Sequence, residues 1–62
     1  MDFKVQNEGN IYLLLPVSEQ ARAWVEEHLP EDRQYFGRAV VVEHRYIGDI
    51  VGGIQAEGLV VS

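Results

Sequence analysis

Cysteine is absent from this sequence of 62 residues, and proline occurs only twice. Without cysteine the chain can form neither a disulfide framework nor a thiolate zinc site, so its stability must come from a compact core or from association with another chain. The absence fits a reducing compartment, and the start of the chain carries no secretory signal, so we expect a cytoplasmic protein. No apolar run approaches the roughly 18 residues of a membrane helix, so no membrane contact is expected.

Positive charge is scarce as well. Five Lys and Arg residues stand against ten Asp and Glu residues, which gives a formal net charge of −5. Because contact with a phosphate backbone normally requires a basic patch, we expect no direct binding to nucleic acid. Motifs for binding phosphates or dinucleotides and a Ser-His-Asp arrangement are also missing. The sequence therefore predicts no enzymatic activity, no cofactor and no metal.

The hydrophobic pattern predicts four strands within one small domain of residues 1–62. Phe3 and Val5 alternate with polar residues, as in a strand with one buried face. A tight turn over residues 7–10 leads to the apolar run 11–15, which forms the second strand. Because this run is apolar on both alternating faces, it should lie in the middle of the sheet or have its second face covered by another surface. The remaining strands are predicted over residues 39–42 and 59–61.

Two amphipathic helices complete the predicted fold. Ser18 can cap the first helix, and Pro30 ends it. Since proline followed by acids also begins helices, we predict a short helical turn from Glu31 to Phe36. In the second helix, Gly48 and Gly52 share one face and would let the helix approach a neighbour closely. Together these elements predict an α+β fold of order β-β-α-β-α-β, a four-stranded sheet with two helices packed on one face.

Four short patterns resemble a group of small bacterial and phage open reading frames that have no assigned activity. They are Asn-Ile-x-Leu-Leu-x-Pro-Val over residues 10–17, Ala-Trp-Val over 23–25, Glu-x-Arg-Tyr-Ile over 43–47 and Gly-Leu-x-Val over 58–61. The resemblance covers most of the chain, but the matching residues are mainly core and turn residues. It implies a shared fold and a mobile-element context, and it carries no catalytic residue over to this sequence.

The densest group of functional side chains is predicted where the third strand meets the second helix. Glu43, His44, Arg45 and Tyr46 follow one another there, and a strand end beside a helix N-terminus is a common place for binding groups. A general acid or base needs a pocket and a reacting partner, whereas Glu43 and Arg45 lie on the same side and can pair. We therefore favour a structural or binding role over catalysis. His28, on the apolar stripe of the first helix, is predicted to be partly buried and hydrogen-bonded rather than a metal ligand.

Acidic residues cluster on the exposed face of the first helix and in the turn after it. Between residues 19 and 33, five acids accompany only two arginines, and the negative field they create attracts basic surfaces. Acids can also serve only to keep a small domain in solution, and the sequence leaves that alternative open. The predicted partner-binding surface consists of Glu19, Glu26, Glu27, Glu31, Asp32 and Tyr35.

The sequence thus predicts a small acidic protein-binding module. Its expected partner is a larger protein with a basic, nucleic-acid-binding surface, such as a CRISPR effector. In that case this protein is a phage or mobile-element inhibitor that blocks the basic surface by mimicking nucleic acid. The alternative is a self-associating accessory protein, a homodimer without catalytic activity. Such a dimer would bury apolar surface around Tyr12, Trp24, Tyr46 or residues 59–61 between two copies.

Overall fold

Four strands and two helices follow one another in the order β-β-α-β-β-α in the computed structural model, which describes residues 1–62. The elements are β1 (Phe3–Asn7), β2 (Ile11–Pro16), α1 (Glu19–His28), β3 (Tyr35–Phe36), β4 (Ala39–Glu43) and α2 (His44–Ala56). The strands form one antiparallel sheet with the spatial order β1-β2-β4-β3. This confirms the predicted α+β class and the four-stranded sheet, although the order of elements differs in its second half.

The predicted hairpin joins β1 to β2, with Phe3 opposite Pro16 and Asn7 opposite Tyr12. The turn between them contains Gly9, whose φ of +90° lies in the region that glycine adopts without strain. Its amide donates a hydrogen bond of 2.8 Å to Oδ1 of Asn7, a contact that asparagine commonly makes in turns. The wholly apolar strand β2 then lies between β1 and β4, in the middle of the sheet.

The predicted N-cap begins α1. Oγ of Ser18 accepts a hydrogen bond of 3.1 Å from the amide of Ala21, which satisfies one of the free amides of the first turn. The same hydroxyl donates a hydrogen bond of 2.7 Å to Oδ1 of Asp2. At the other end, Leu29 adopts extended backbone angles ahead of Pro30 and stops the helix where the sequence predicts.

Residues 31–36 do not form the predicted helical turn. Tyr35 and Phe36 are strand β3, which pairs with Val40 and Ala39 of β4. Gly37, with a φ of +62°, turns the chain straight back into that pairing. The helical prediction is wrong because a lone helical turn forms few hydrogen bonds for the residues it orders, whereas β4 offers a ready backbone partner.

The end of the chain runs parallel to β1 instead of forming a full strand. Val61 makes an isolated parallel bridge with Phe3, and the amides of Asp2 and Phe3 both donate hydrogen bonds of 2.9 Å to the carbonyl oxygen of Val60. Oδ2 of Asp2 also accepts a hydrogen bond of 2.8 Å from the amide of Val60. The predicted strand over residues 59–61 is thereby reduced to one bridge on the outer edge of β1.

The predicted close approach through Gly48 and Gly52 is also wrong. A Cβ atom at either position would meet nothing within 4 Å. The buried side chain of Ile54 fixes which face of α2 meets the core, and this turns both glycines to solvent. The helix instead comes close to α1 at Gly53, where a Cβ atom would lie 3.4 Å from Cζ2 of Trp24.

A single core lies between both helices and one face of the sheet. Phe3, Leu14, Ala21 and Ile54 are completely buried, so the sheet and both helices all contribute to it. The two helices therefore pack on the same face, as predicted. Neither helix has the length and apolar character that crossing a lipid bilayer requires. The core consists of Phe3, Leu14, Ala21, Trp24, Val25, Val40, Val42 and Ile54.

Candidate protein-binding surfaces

All six residues of the predicted partner-binding surface are exposed. Glu19 and Glu26 lie one above the other on the outer side of α1, because seven residues make close to two helical turns. Glu31 and Asp32 form the turn that follows the helix. We call the five acids the acidic surface: Glu19, Glu26, Glu27, Glu31 and Asp32.

One arginine joins two of the predicted binding residues to each other. Nη2 of Arg33 donates a hydrogen bond to a carboxylate oxygen of Glu26. Its Nε donates a hydrogen bond of 2.8 Å to the hydroxyl of Tyr35. Its Nη1 donates a hydrogen bond of 2.8 Å to the carbonyl oxygen of Pro30. The hydrogen bonds with Tyr35 and then Glu26 raise the pKa of the guanidinium above its ordinary value. Glu26 and Tyr35 therefore brace the loop against α1, and the charge of Glu26 is compensated within the chain.

The other acids keep their charge uncompensated by lysine or arginine. Glu19, Glu31 and Asp32 form no ion pair, and the carboxylate of Glu27 lies 3.7 Å from Nε2 of His28. These four residues extend from the start of α1 to the turn beyond its end. They leave a negative field available to a positively charged partner.

His28 differs from its prediction. Its ring stacks on the ring of Trp24, with centroids 4.6 Å apart, and 40% of its side chain is exposed. It forms no hydrogen bond, because its flat face packs on the indole and the nearest carboxylate, that of Glu27, stays 3.7 Å from Nε2, beyond hydrogen-bond distance. Its position at the outer end of the apolar stripe explains both the stacking and the exposure.

The side chains at the start of α2 are held by contacts within the chain. Nε of Arg45 donates a hydrogen bond of 2.9 Å to Oε1 of Glu43, the pairing expected from their positions, and its guanidinium lies 5.0 Å from the ring centre of Tyr46. Nε2 of His44 hydrogen-bonds with the carbonyl oxygen of Gly9. The contact of His44 attaches α2 to the β1–β2 turn. No group of three or more acidic or histidine side chains is placed to hold a metal ion.

A second surface, which the sequence analysis did not select, is the face of the sheet that the helices leave uncovered. Strand alternation turns one side of β2 and β4 away from the core, and the register sets Leu13 beside Val41. Phe36, on β3, is 70% exposed. We call this apolar set the open sheet face, and none of its members belongs to the core: Ile11, Leu13, Leu15, Phe36 and Val41.

The sequence did contain a signal for the open sheet face. The run 11–15 is apolar on both alternating faces, and one alternative was that another surface covers its second face. In the structure, Ile11, Leu13, Phe36 and Val41 share the lining of an open depression of about 700 Å³ on that face. A central position in the sheet produces the same pattern, so the sequence alone does not distinguish the two causes.

Most of the apolar groups predicted for a homodimer contact are used inside the chain. Trp24 is a core residue with 8% exposure, Tyr12 packs against the core, and residues 59–61 lie along β1. Two members of the predicted contact are exposed, Tyr46 at 51% and Val60 at 56%. These two side chains are what the fold leaves available for a contact of that kind.

No protein-family model, curated protein or solved structure matches this chain. Its function must therefore be inferred from the acidic surface and the open sheet face.

Proposed function

We propose that this chain is a small, non-catalytic protein-binding module whose acidic surface binds a basic, nucleic-acid-binding surface of a larger protein. The observation that carries the proposal is the set of exposed acids without a lysine or arginine partner: Glu19, Glu27, Glu31 and Asp32. A basic partner can form charge-assisted hydrogen bonds with them, and no ion pair with lysine or arginine has to break first.

The loop that carries Glu31 and Asp32 is held in place by the side chain of Arg33. Arg33 is only 10% exposed, and its guanidinium contacts both Glu26 of α1 and Tyr35 of β3. A surface that is already ordered loses less conformational entropy when it binds. Glu26 and Tyr35 therefore contribute to binding by holding the acids in place, which is a different role from the direct contact predicted for them.

The proposed biological role is inhibition. A protein that binds nucleic acid exposes clustered lysines and arginines, and a rigid acidic protein can occupy them in place of the phosphate backbone. The mobile-element context implied by the resemblance is consistent with such an inhibitor, which would act in the cytoplasm of a host cell. A self-associating accessory role remains the alternative when no such target is bound.

Affinity chromatography on the immobilised protein tests the proposal. A nuclease-treated lysate of the host cell is applied, and retained proteins are identified and assayed for nucleic-acid binding. We expect a retained basic protein that loses its nucleic acid when this protein is added, and binding that weakens as the ionic strength rises. A retained set with no nucleic-acid-binding protein would contradict the proposal.

Two matched double variants locate the contact. Glu31→Lys/Asp32→Lys alters the acidic surface, while Asp49→Lys/Glu57→Lys alters exposed acids of α2 and its C-cap. Each pair contains two reversals of two units, so both change the net charge from −5 to −1. We expect the first variant to lose the partner and the second to keep it. Equal losses would show that net charge, and not the acidic surface, governs binding.

A further inference from the structure

We propose that a second copy of this chain covers the open sheet face, so that the protein is a face-to-face homodimer with its helices outside. The inference does not depend on the proposed function, because it rests on different residues. The acidic surface lies on the helical side of the sheet and stays exposed in such a dimer. The two copies would then present two acidic surfaces on opposite sides of one particle.

The open sheet face has the composition of a surface that packs against protein. An antiparallel sheet with one solvated face normally alternates apolar and polar residues, yet β2 places Ile11, Leu13 and Leu15 on its outward side. Val41 extends the apolar strip onto β4. Two such faces can interdigitate as aligned sheets about 10 Å apart.

The size of the molecule also favours a second copy. Nine of its 62 residues are buried, and domains of this length commonly complete their cores by association. A standard interface takes about 800 Å² from each partner, which is close to a fifth of the 4295 Å² that this chain exposes. One side of a body measuring 27 × 20 × 17 Å supplies an area of that order.

Opposite charges stand at the two ends of the open sheet face. Lys4 of β1 pairs across the sheet with Leu15. Arg38, in the turn directly before β4, lies at the same end of the sheet, because Val40 pairs with Leu14. At the other end, the amide of Glu8 donates a hydrogen bond of 2.9 Å to the carbonyl oxygen of Ile11. Lys4, Arg38 and Glu8 form no ion pair within the chain.

This distribution selects one arrangement of the two copies. A two-fold axis that crosses the strands places β1 over β1 in the opposite direction, so Lys4 of each copy faces Glu8 of the other. An axis along the strands would place β1 over β3 and bring Lys4 towards Arg38, which is a contact between like charges. The favoured arrangement also brings Leu13, in the middle of β2, close to the same residue of the second copy.

Single cysteine variants test the arrangement directly, since the chain has no cysteine of its own. Leu13→Cys places a thiol near the proposed axis, and Ala23→Cys places one on the exposed side of α1. On mild oxidation of dilute protein, we expect Leu13→Cys to form a covalent dimer and Ala23→Cys to form no covalent cross-link. Equal cross-linking of the two variants, or none at Leu13→Cys, would overturn the proposal.

Sedimentation equilibrium measures the strength of the same contact. We expect Leu13→Glu to raise the dimer dissociation constant at least about tenfold, because it buries an unpaired charge. Phe36→Glu should also raise the dimer dissociation constant. Since Phe36 is 70% exposed, this change leaves the fold intact, as circular dichroism will show.

Tyr46→Glu is the control for these two variants, because Tyr46 is 51% exposed and lies outside the open sheet face. A wild type that is monomeric at every concentration would overturn the proposal, whether or not another protein covers the face.

A charge exchange tests the direction of the strands. Lys4→Glu should weaken the dimer several-fold at low ionic strength, because each copy then places two acids together. Adding Glu8→Lys to that variant should restore the dimer. If Lys4→Glu leaves the dissociation constant unchanged, or if the double variant is no tighter than the single one, the proposed two-fold arrangement is wrong.

Discussion

Asp2 and Ser18 share a hydrogen bond of 2.7 Å in which the hydroxyl is the donor, and the same hydroxyl accepts the amide of Ala21. The second oxygen of Asp2 accepts the amide of Val60 at 2.8 Å. One carboxylate therefore supports the cap of α1 and positions the end of the chain. The hydrogen bonds from Val60 and then Ser18 lower the pKa of Asp2 below its ordinary value.

The lowered pKa predicts a pH-dependent contribution to stability. The ionised Asp2 stabilises the folded state fully above the pKa of the unfolded chain, and this contribution is lost as the pH falls through the lower folded-state pKa. We expect Asp2→Asn to lower the thermal midpoint at neutral pH, with a difference from the wild type that shrinks below about pH 4. Thermal melts followed by circular dichroism between neutral and acidic pH measure this difference in midpoint.

Asp49→Asn is the control for this effect, because it removes one exposed carboxylate from α2. Its melting midpoint should follow that of the wild type across the pH range. A constant difference between Asp2→Asn and the wild type at every pH would mean that the ionised carboxylate is not the stabilising group.

Alanine at the exposed glycines of α2 should stabilise the protein. Gly48 and Gly52 have open space where a Cβ atom would be, so each change to alanine should raise the free energy of unfolding by about 0.5–1 kcal/mol. Gly53→Ala should gain less, because its Cβ would lie 3.4 Å from Trp24. Urea titration distinguishes these outcomes, and a loss of stability in Gly48→Ala would contradict the assigned helix face.

Phenylalanine should replace Trp24 at far lower cost than alanine. The indole Nε1 is buried without a hydrogen-bond partner, so Trp24→Phe sacrifices no hydrogen bond and retains much of the edge-to-face contact with Phe3, whose ring centre lies 6.0 Å away. Trp24→Ala should lose about 3–5 kcal/mol. We expect Trp24→Phe to lose less than half of that. Denaturation followed by circular dichroism is the measurement, since both changes remove the only tryptophan. Equal losses would show that phenylalanine retains none of the packing of the indole ring.

The sequence was sufficient to predict those parts of the fold that depend on neighbouring residues along the chain. The turn at Gly9, the cap at Ser18 and the end of α1 before Pro30 each follow from the residues immediately around them. Segment 31–36 was predicted incorrectly because its partner strand, β4, lies beyond the next turn of the chain. Asp2 was overlooked for the same reason, since its two side-chain partners are 16 and 58 residues away.

The candidate surfaces were predictable to different degrees. Helical periodicity was enough to place Glu19 and Glu27 in solvent. The pairing of Glu26 with Arg33 was not foreseen, because Pro30 separates the two residues and the fold of the loop decides whether they meet. The open sheet face required the strand order as well, since only the position of both helices shows which side of β2 remains uncovered.

The contact between Phe3 and Val61 also has a consequence for biosynthesis. Phe3 leaves the ribosome long before Val61, the residue that pairs with it. The β1–β2 hairpin and α1 can form from local contacts while the chain is still growing, but closing a loop that spans residues 3–61 is entropically costly and slow. During translation β1 therefore keeps a free outer edge until residue 61 leaves the exit tunnel, and the contact that covers this edge forms only then.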